Sequence, residues 1–472
     1  MTALKVYDAP DGIPLNSAFE VQVCSGDNIN NANWASVPTY SINVASINTL
    51  SNAFNKHPIS VASVDTNGPI TVRARYTAGI VHQAVVRPAS AGVKAAIEDG
   101  HLITFTLDRP RDVMLQVNGD KWQALHLLVN PVDESAPTGD SEDVWYFGPG
   151  LNNGTAYAHV KDGDLHVPSG KTVYLAGGAF LNARINLNNV KDAAVRGHGY
   201  IFEPKNGAIL IERSSNIVVE RVTSLSAGGF SLTTGEVHGV HVNNYRSFSS
   251  AGNGDGVDFF CSTDVLVENC FLRNSDDTVA IYGHRWDYCG DTKNITVRNC
   301  TLLPDIAHAV QIGTHGNPAK PERFSNISIS NIDVLDHEEN QAWYQGALAI
   351  NAGDDNLIED VLFEDIRVEK ITKGQLINIR VMQNSMWTTA PGRGIRNVTV
   401  RNMSLDLDNS KAVYPSQILG YDGQRNIEGV RFQNLWIGNR HIYEGMSKPR
   451  WYMVSDFVPL FANEHVSGLT FA

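Results

Sequence analysis

A repeated strand template constrains this chain of 472 residues more than any other feature of its sequence. From about residue 170 onward, short strands with alternating apolar and polar side chains recur, each opened by Asn, Asp or Gly. Helical periodicity is nearly absent. Coils of strand, turn and strand at this period predict a right-handed parallel β-helix whose interior stacks like residues. The equivalent apolar positions are 217, 240, 265, 295, 327, 361, 398, 430 and 469.

The first 160 residues do not follow this template. They contain alternating strands such as Ile70–Arg75 and Leu102–Leu107, with Asp-Gly and Asn-Gly turns between strands. Such a pattern is typical of an antiparallel β-sandwich. The sequence therefore predicts an all-β chain with an N-terminal antiparallel β-sandwich over residues 1–160 and the right-handed parallel β-helix over 161–472, with Pro131–Asp143 as the loosest connecting stretch.

Charge and hydropathy exclude several classes of partner. The chain has 37 Lys+Arg against 50 Asp+Glu, a formal net charge of −13, and no run of basic residues. Nucleic acid and anionic membranes should be repelled, and a highly anionic polysaccharide is disfavoured. No segment approaches the roughly 20 apolar residues of a membrane helix, and none follows the N-terminus as a signal peptide would. We expect a soluble protein, either cytoplasmic or secreted with its signal removed.

The cysteines and sequons point to structural roles. Five cysteines without Cys-x-x-Cys spacing favour neither a disulfide framework nor a zinc site. Cys270 and Cys300 occupy equivalent places in two coils, which predicts stacked buried thiols. The sequons that begin at Asn294 and Asn397 fall where the template itself places asparagine, so they need not be glycosylation sites. We predict no cofactor and no metal.

The densest group of acids lies in two neighbouring coils, Asn253–Asp258 and Asn274–Asp277. Asp255 and Asp276 are 21 residues apart, about one coil, which should stack their backbones near the ~4.8 Å spacing of parallel strands. Carboxyls that close raise at least one carboxyl pKa. A protonated acid beside ionised carboxylates is what hydrolysis of a glycosidic bond requires.

Two other interpretations of these acids stay open. Asp and Asn also fill polar turns in solenoids, as at Asp264 and Asp291. An Asp-x-x-Asp cluster can bind calcium through its oxygens, although Asp255–Asp258 lacks the rest of a twelve-residue calcium loop.

A histidine and a loop strengthen the catalytic interpretation. His308 opens a strand one coil beyond Asp277, where it could orient a carboxylate or a sugar hydroxyl. The inserted loop around 284–293 carries aromatic and hydrogen-bonding side chains suited to sugar rings. The candidate substrate-binding residues are His308, Asp258, His284, Arg285, Trp286 and His315.

These motifs resemble the signature of the β-helical glycoside hydrolases of families 28 (polygalacturonases) and 49 (dextranases and isopullulanases). The resemblance covers about 165–472, and the N-terminal sandwich is similar to the one that precedes the β-helix in family 49. It implies that Asp276 is the general acid and that Asp255 and Asp277 activate the attacking water, with inversion. His308 matches the histidine of the polygalacturonase Gly-His-Gly, although its neighbours here are both alanine.

One departure from the family 28 pattern bears on the substrate. The polygalacturonases carry Arg-x-Lys on the following coil to bind the uronate carboxylate, and the corresponding stretch here is Ala347–Ala352, without a basic residue. We therefore expect an oligo- or polysaccharide substrate that is a neutral glycan, such as a dextran-like or pullulan-like α-linked glucan.

Three alternatives remain at this point. The chain could be a polygalacturonase-like hydrolase of another plant or microbial polysaccharide, a β-helical polysaccharide lyase, or a non-catalytic carbohydrate-binding β-helix. A lyase needs a Lys or Arg base, and none lies near the acids in sequence. The sequence does not fix the linkage, endo or exo action, or the oligomeric state.

Overall fold

Parallel strands stacked coil upon coil build most of the molecule. The computed structural model describes residues 3–26, 33–48, 51, 53–341, 343–446 and 460–472. Two sheets run along the β-helix. In the 20-stranded long sheet all neighbours are parallel between the strand Thr172–Leu175 and the strand Ile427–Ile437. Its strands are Val144–Phe147, Gly150–Asn153, Thr172–Leu175, Ala179–Asn182, Lys191–Gly197, Tyr200–Phe202, Ser215–Glu220, Thr223–Leu225, His238–Asn243, Arg246–Phe248, Thr263–Glu268, Phe271–Asn274, Thr292–Pro304, Arg323–Val334, Leu357–Val368, Gly394–Leu405, Ile427–Ile437, Arg440–Ile442, Val466–Ser467 and Thr470–Phe471.

The second sheet, here called the groove sheet, has 12 strands. Apart from its first pair, neighbouring strands are parallel. Its strands are Val160–Lys161, Asp164–His166, Arg184–Asn188, Ile209–Glu212, Leu232–Gly235, Val257–Phe260, Val279–Tyr282, Val310–Gly313, Leu348–Ala352, Ile377–Val381, Ser416–Leu419 and Leu460–Ala462. Two short strands, Lys373–Gln375 and Ala412–Tyr414, pair beside it.

The predicted aliphatic columns fill the space between the two sheets. Ile217 lies opposite Val240, Val240 opposite Val265, and Val265 opposite Ile295 in the strand register. These side chains are at most 2% exposed and belong to one continuous core. Burial of apolar columns in every coil is the main source of stability in such a rod. The predicted right-handed parallel β-helix is confirmed.

Asparagine and aspartate at left-handed positions within the strands form ladders of their own. Asn294 has a φ of 57°, in the left-handed region that Asn tolerates better than most residues. Its amide nitrogen donates to the Asp264 carboxylate at 2.7 Å, and its amide oxygen accepts from Asn326 at 2.9 Å. The Asn294 side chain therefore has a structural role, as its place in the template predicts.

Before the β-helix, two sheets pack face to face. The six-stranded sheet comprises Leu4–Lys5, Tyr40–Ile47, Phe54–Thr66, Ala84–Arg87, Val113–Val117 and Asp120–Asn130, and it includes one parallel pair. The five-stranded antiparallel sheet comprises Phe19–Ser25, Ala35–Val37, Ile70–Tyr76, Ala96–Glu98 and Leu102–Leu107. Short 3-10 helices occur at Ala89–Ala91 and Gly154–Ala156. Buried residues from both sheets form their common core.

Parallel pairing with strands of the β-helix begins before residue 160. Val144–Phe147 already pairs in parallel with Thr172–Leu175, and Gly150–Asn153 with Ala179–Asn182. We propose 131–143 as the boundary between the N-terminal sheets and the β-helix, because no strand is formed there. In the described residues, no helix has the length and apolar character needed to cross a membrane.

Candidate active site

The acids singled out in the sequence lie in successive turns at one edge of the groove sheet. Asp255 precedes the strand Val257–Phe260, and Asp276 and Asp277 precede Val279–Tyr282. The turns are joined by backbone hydrogen bonds: Gly256 N donates to Asp277 O, and Thr278 N donates to His308 O, both at 2.9 Å. The edge therefore stacks the two acid turns and the histidine turn in three adjacent coils.

The strand register differs by one residue from the 21-residue separation of Asp255 and Asp276 on which the sequence-based prediction rests. Val257 lies opposite Val279, so this coil is 22 residues long and Asp255 aligns with Asp277 rather than with Asp276. Asp276 nevertheless joins the group. One carboxylate oxygen from each of Asp255, Asp276 and Asp277 lies within 4.8 Å of the others.

Asp277 is held as an ionised carboxylate. It accepts hydrogen bonds from the Tyr282 hydroxyl at 2.7 Å, from His308 N at 2.9 Å and from His308 Nδ1 at 2.7 Å. Burial acts to raise the pKa of Asp277, but the charge and hydrogen bonds of His308 outweigh it and lower that pKa. Burial acts to lower the pKa of His308, and Asp277 overcomes this and raises it to about 9. The two residues form a buried ion pair at neutral pH.

Asp276 is held in the opposite state. It is only partly buried, and its Oδ1 accepts from the Asp277 backbone N at 3.0 Å. Loss of hydration, and then the nearby charge of Asp277, raise the pKa of Asp276 to about 8. A carboxyl that keeps its proton at neutral pH, next to an ionised one, has the property required of a general acid.

A fourth carboxyl, Asp258, lies beneath the cluster. It is fully buried and points away from the β-helix core, and its hydrogen-bond partner is the carboxyl of Asp255, since no other described residue bonds its oxygens. Burial is the first cause that raises the pKa of both groups well above the ordinary value, followed by the charge of Asp258 at Asp255 and of Asp277 at Asp258. Asp255 and Asp258 therefore keep at least one proton between them.

The same oxygens could share a cation. Asp255, Asp276 and Asp277 form the group of this kind found in the described residues. A divalent ion there would ionise all three carboxyls and remove the proton that Asp276 holds. Metal binding and acid catalysis by this cluster are thus mutually exclusive states.

His308 does not have a ring nitrogen left for a substrate. Its Nδ1 bonds Asp277, and its Nε2 bonds the carbonyl oxygen of Tyr344. The side chain is fully buried. Of the two roles left open by the sequence, this placement favours orienting a carboxylate and corrects the expectation of direct substrate binding.

The inserted loop packs against the strand Val257–Phe260, where the Trp286 and Phe260 rings are 5.3 Å apart. Its Trp286 side chain is 57% exposed and meets the Phe230 ring edge-on at 6.1 Å. Arg285 Nη1 donates to His315 Nε2 at 3.1 Å, since burial and then the Arg285 charge lower the pKa of His315 to about 3 and keep it neutral. His284 Nδ1 bonds the Tyr288 carbonyl, so it stabilises the loop rather than facing a ligand.

Several residues of the site are not among those predicted from the sequence. Strand alternation could have identified Tyr282, because its side chain lies on the same outward face of the groove sheet as Ala280 and Asp258. Trp343 and Tyr344 lie in a long loop without repeat signal, and no pattern could have placed them. Trp343 is 70% exposed, and its carbonyl accepts from Arg380 Nη1 at 3.0 Å.

Comparison with known proteins finds a matching family model and several curated relatives. Residues 176–440 match the family model of the glycosyl hydrolases family 28. Endopolygalacturonase B of Emericella nidulans is 24% identical over 233 residues, which is 48% of this chain and 60% of that protein. A polygalacturonase of Chamaecyparis obtusa is 25% identical over 145 residues, 30% of this chain and 26% of that protein. The chain thus covers about a quarter to three fifths of these relatives.

Two solved structures share the fold. Dex49A from Penicillium minioluteum superposes with a TM-score of 0.61 at 12% identity, covering 99% of this chain and 96% of that one. The family 28 exopolygalacturonase of Yersinia enterocolitica gives a TM-score of 0.50 at 12% identity, with 84% and 96% covered. The resemblance seen in the sequence is confirmed, and the enzyme class with it. The chain belongs to the glycosyl hydrolases family 28.

Proposed function

We propose that this enzyme hydrolyses an α-linked neutral glycan, such as a dextran-like or pullulan-like glucan, with inversion at the anomeric carbon. The observation that supports it most is the division of protonation states in one cluster. Asp276 retains a proton, whereas Asp277 is ionised by its pairing with His308.

The proposed reaction uses each carboxyl in one role. Asp276 gives its proton to the glycosidic oxygen as the bond to the anomeric carbon breaks. A water held between Asp255 Oδ1 and Asp277 attacks that carbon, and its proton passes to the carboxylate. Tyr282 and His308 stabilise the negative charge of Asp277 until then.

The proposed inversion rests on these states and not on spacing. Carboxyl pairs in most inverting enzymes are about 6.5–9.5 Å apart, and about 5–5.5 Å apart in retaining ones. The nearest oxygens here are closer than the inverting window. Two observations argue against a carboxylate acting as a covalent nucleophile. Asp277 already accepts three hydrogen bonds, and the pKa of Asp255 is raised.

The neutral substrate is supported by the coil after His308. Ala349 and Asn351 are the outward residues of the strand Leu348–Ala352, because its other three side chains are in the core. One coil further, Asn378 lies opposite Ala349 and Arg380 lies opposite Asn351. Amides and a methyl group suit sugar hydroxyls and apolar ring faces better than a carboxylate.

A second candidate is a uronate-containing polymer, as in the polygalacturonase relatives. Within the described residues, neither Arg285 nor Arg380 forms an ion pair with a carboxylate. Burial is the one cause that lowers the pKa of Arg380, with no nearby acid to offset it. Either guanidinium could therefore bind a uronate carboxylate in place of the missing Arg-x-Lys.

We expect polygalacturonate to be cleaved at least ~100-fold less efficiently than the best neutral α-glucan, in kcat/KM, because the strand Leu348–Ala352, on the coil after His308, carries no basic residue. Reducing-end release from a panel of neutral α- and β-glucans and polygalacturonate measures this. The Asp276→Asn variant, purified in parallel, controls for contaminating glycosidases. Efficient cleavage of polygalacturonate would favour the second candidate, and Arg285→Ala and Arg380→Ala would then identify the residue that binds the carboxylate.

A further inference from the structure

A lysine of the N-terminal sheets reaches the β-helix beside the candidate site. Lys121 lies in the strand Asp120–Asn130, and its side chain is 7% exposed. Its Nζ is 3.3 Å from Glu338, 3.5 Å from Asp336 and 3.6 Å from Asp305. Burial acts to lower the pKa of Lys121, and these carboxylates overcome it and raise that pKa, so the ammonium stays charged.

The three acids belong to the two turns that enclose His308. Asp305 begins the turn that carries His308, and its backbone N donates to Asn274 O at 2.7 Å, next to the Asp276 turn. Glu338 belongs to the following coil, where its carbonyl accepts from Ala307 N at 3.1 Å. Lys121 is therefore bonded to both turns at once.

The imidazole of His308 depends on the distance between these turns. His308 lies in the first turn, and its backbone N and its Nδ1 both bond Asp277. Its Nε2 bonds the Tyr344 carbonyl, which lies in the loop that follows the next strand of the long sheet. That loop spans 335–347, between the strands Arg323–Val334 and Leu348–Ala352, and it contains Asp336 and Glu338. A shift of this loop would move the Tyr344 carbonyl away from His308.

Lys121 offsets a repulsion that would cause such a shift. Arg273 pairs with Asp305 at 2.8 Å, and Lys370 lies 3.8 Å from Asp336, but Glu338 has Lys121 as its cation among the described contacts. Without the ammonium, buried carboxylates from two turns would face one another. Like charges in such surroundings separate or take up protons.

We propose that Lys121 is a positioning residue: the N-terminal sheets fix the orientation of His308, and through it Asp277, from outside the β-helix. The inference rests on the proposed role of Asp277 and adds a role for the N-terminal sheets. It predicts that the rate depends on Lys121 more than other contacts of the same junction do. A misplacement of even about 1 Å near reacting groups can cost about 100-fold in rate.

The test compares Lys121→Met and Lys121→Arg with Asp65→Asn. Asp65 also joins the N-terminal sheets to the β-helix, through a buried contact to His198 at 2.7 Å. His198 belongs to an earlier coil than those that carry the acid cluster. We expect Lys121→Met to lower kcat at least ~10-fold with KM changed by less than about threefold, and Lys121→Arg to restore most of kcat. Asp65→Asn should lower the melting temperature with little change in kcat.

Two outcomes would overturn the proposal: wild-type kcat in folded Lys121→Met, or an equal loss of kcat in Asp65→Asn. If Lys121→Met does not fold, Glu338→Gln breaks the same contact at a partner that is 27% exposed and should lower kcat with unchanged KM. If the wild type cleaves no glycan, the proposed function fails, and the NMR signal of the His308 Nδ1 proton tests Lys121 separately. That signal should be present in the wild type, absent in His308→Gln and weakened in Lys121→Met. An unchanged signal would contradict the proposal.

Discussion

Replacing Asp276 by Asn should lower kcat at least ~100-fold on any glycan that the wild type hydrolyses, the scale of lost general-acid assistance. Asparagine has the shape of the acid but no proton to give to the leaving oxygen. Asp276 lies at the partly exposed edge of the cluster, so the variant should fold normally. The measurement is steady-state kinetics beside thermal unfolding. Retention of more than about a third of kcat would remove Asp276 from the mechanism.

The matched control is Asp264→Asn. Asp264 lies in the strand Thr263–Glu268 of the long sheet and accepts from Asn294, a bond that an amide oxygen can keep. This variant should keep wild-type kcat. Asp276 also has a pH signature: since its folded pKa is raised to about 8, its contribution to stability is complete below the unfolded value near 4 and is lost as pH rises through 8. Asp276→Asn should lack this loss, and wild-type kcat/KM should fall above pH 8.

Asp277→Asn should damage both stability and activity. The substitution leaves the buried His308 without its carboxylate, and breaking a buried pair costs about 3–5 kcal/mol. We expect a loss in the free energy of unfolding of that order near neutral pH, and a fall in kcat of at least ~100-fold because no ionised carboxylate remains to activate water. Urea unfolding at several pH values and steady-state kinetics measure the two effects.

The pH range of this loss follows from both partners. Asp277 has a lowered pKa, so its contribution appears above the unfolded carboxyl value and is lost as pH falls. His308 has its pKa raised to about 9, so its contribution is complete below about 6.5 and lost as pH rises through 9. The deficit should therefore be largest between about pH 4 and 6.5. Asp277→Asn/His308→Gln should recover stability without recovering kcat, and an Asp277→Asn variant as stable as the wild type would contradict the ion pair.

Much of the β-helix could be predicted from the sequence because each coil repeats the same physical requirement. The Val and Ile side chains at 217, 240, 265 and 295 are buried in the same way in successive coils. The asparagines that the template repeats adopt the left-handed backbone conformation in each coil. The first coils were missed because Val144–Phe147 and Gly150–Asn153 lack that pattern. They are recognised as β-helix by their pairing alone.

The site could be predicted only as a set of residues. Coil lengths vary, so a 21-residue and a 22-residue step fit the sequence equally well, and strand pairing decided that Asp255 aligns with Asp277. The state of His308 depends on Tyr344, which is 36 residues away in a loop without pattern. Lys121 is more distant still, in another sheet. Such contacts are set by packing between units and leave no local signal.

The first-formed product tests the central claim most directly, namely that water held by Asp255 and Asp277 attacks the anomeric carbon while Asp276 protonates the leaving oxygen. Proton NMR of the hydrolysis of an α-linked substrate, recorded before mutarotation, reports the anomer released. The account predicts the β-anomer. Initial release of the α-anomer, or a glycosyl ester trapped on Asp255, Asp276 or Asp277, would contradict it.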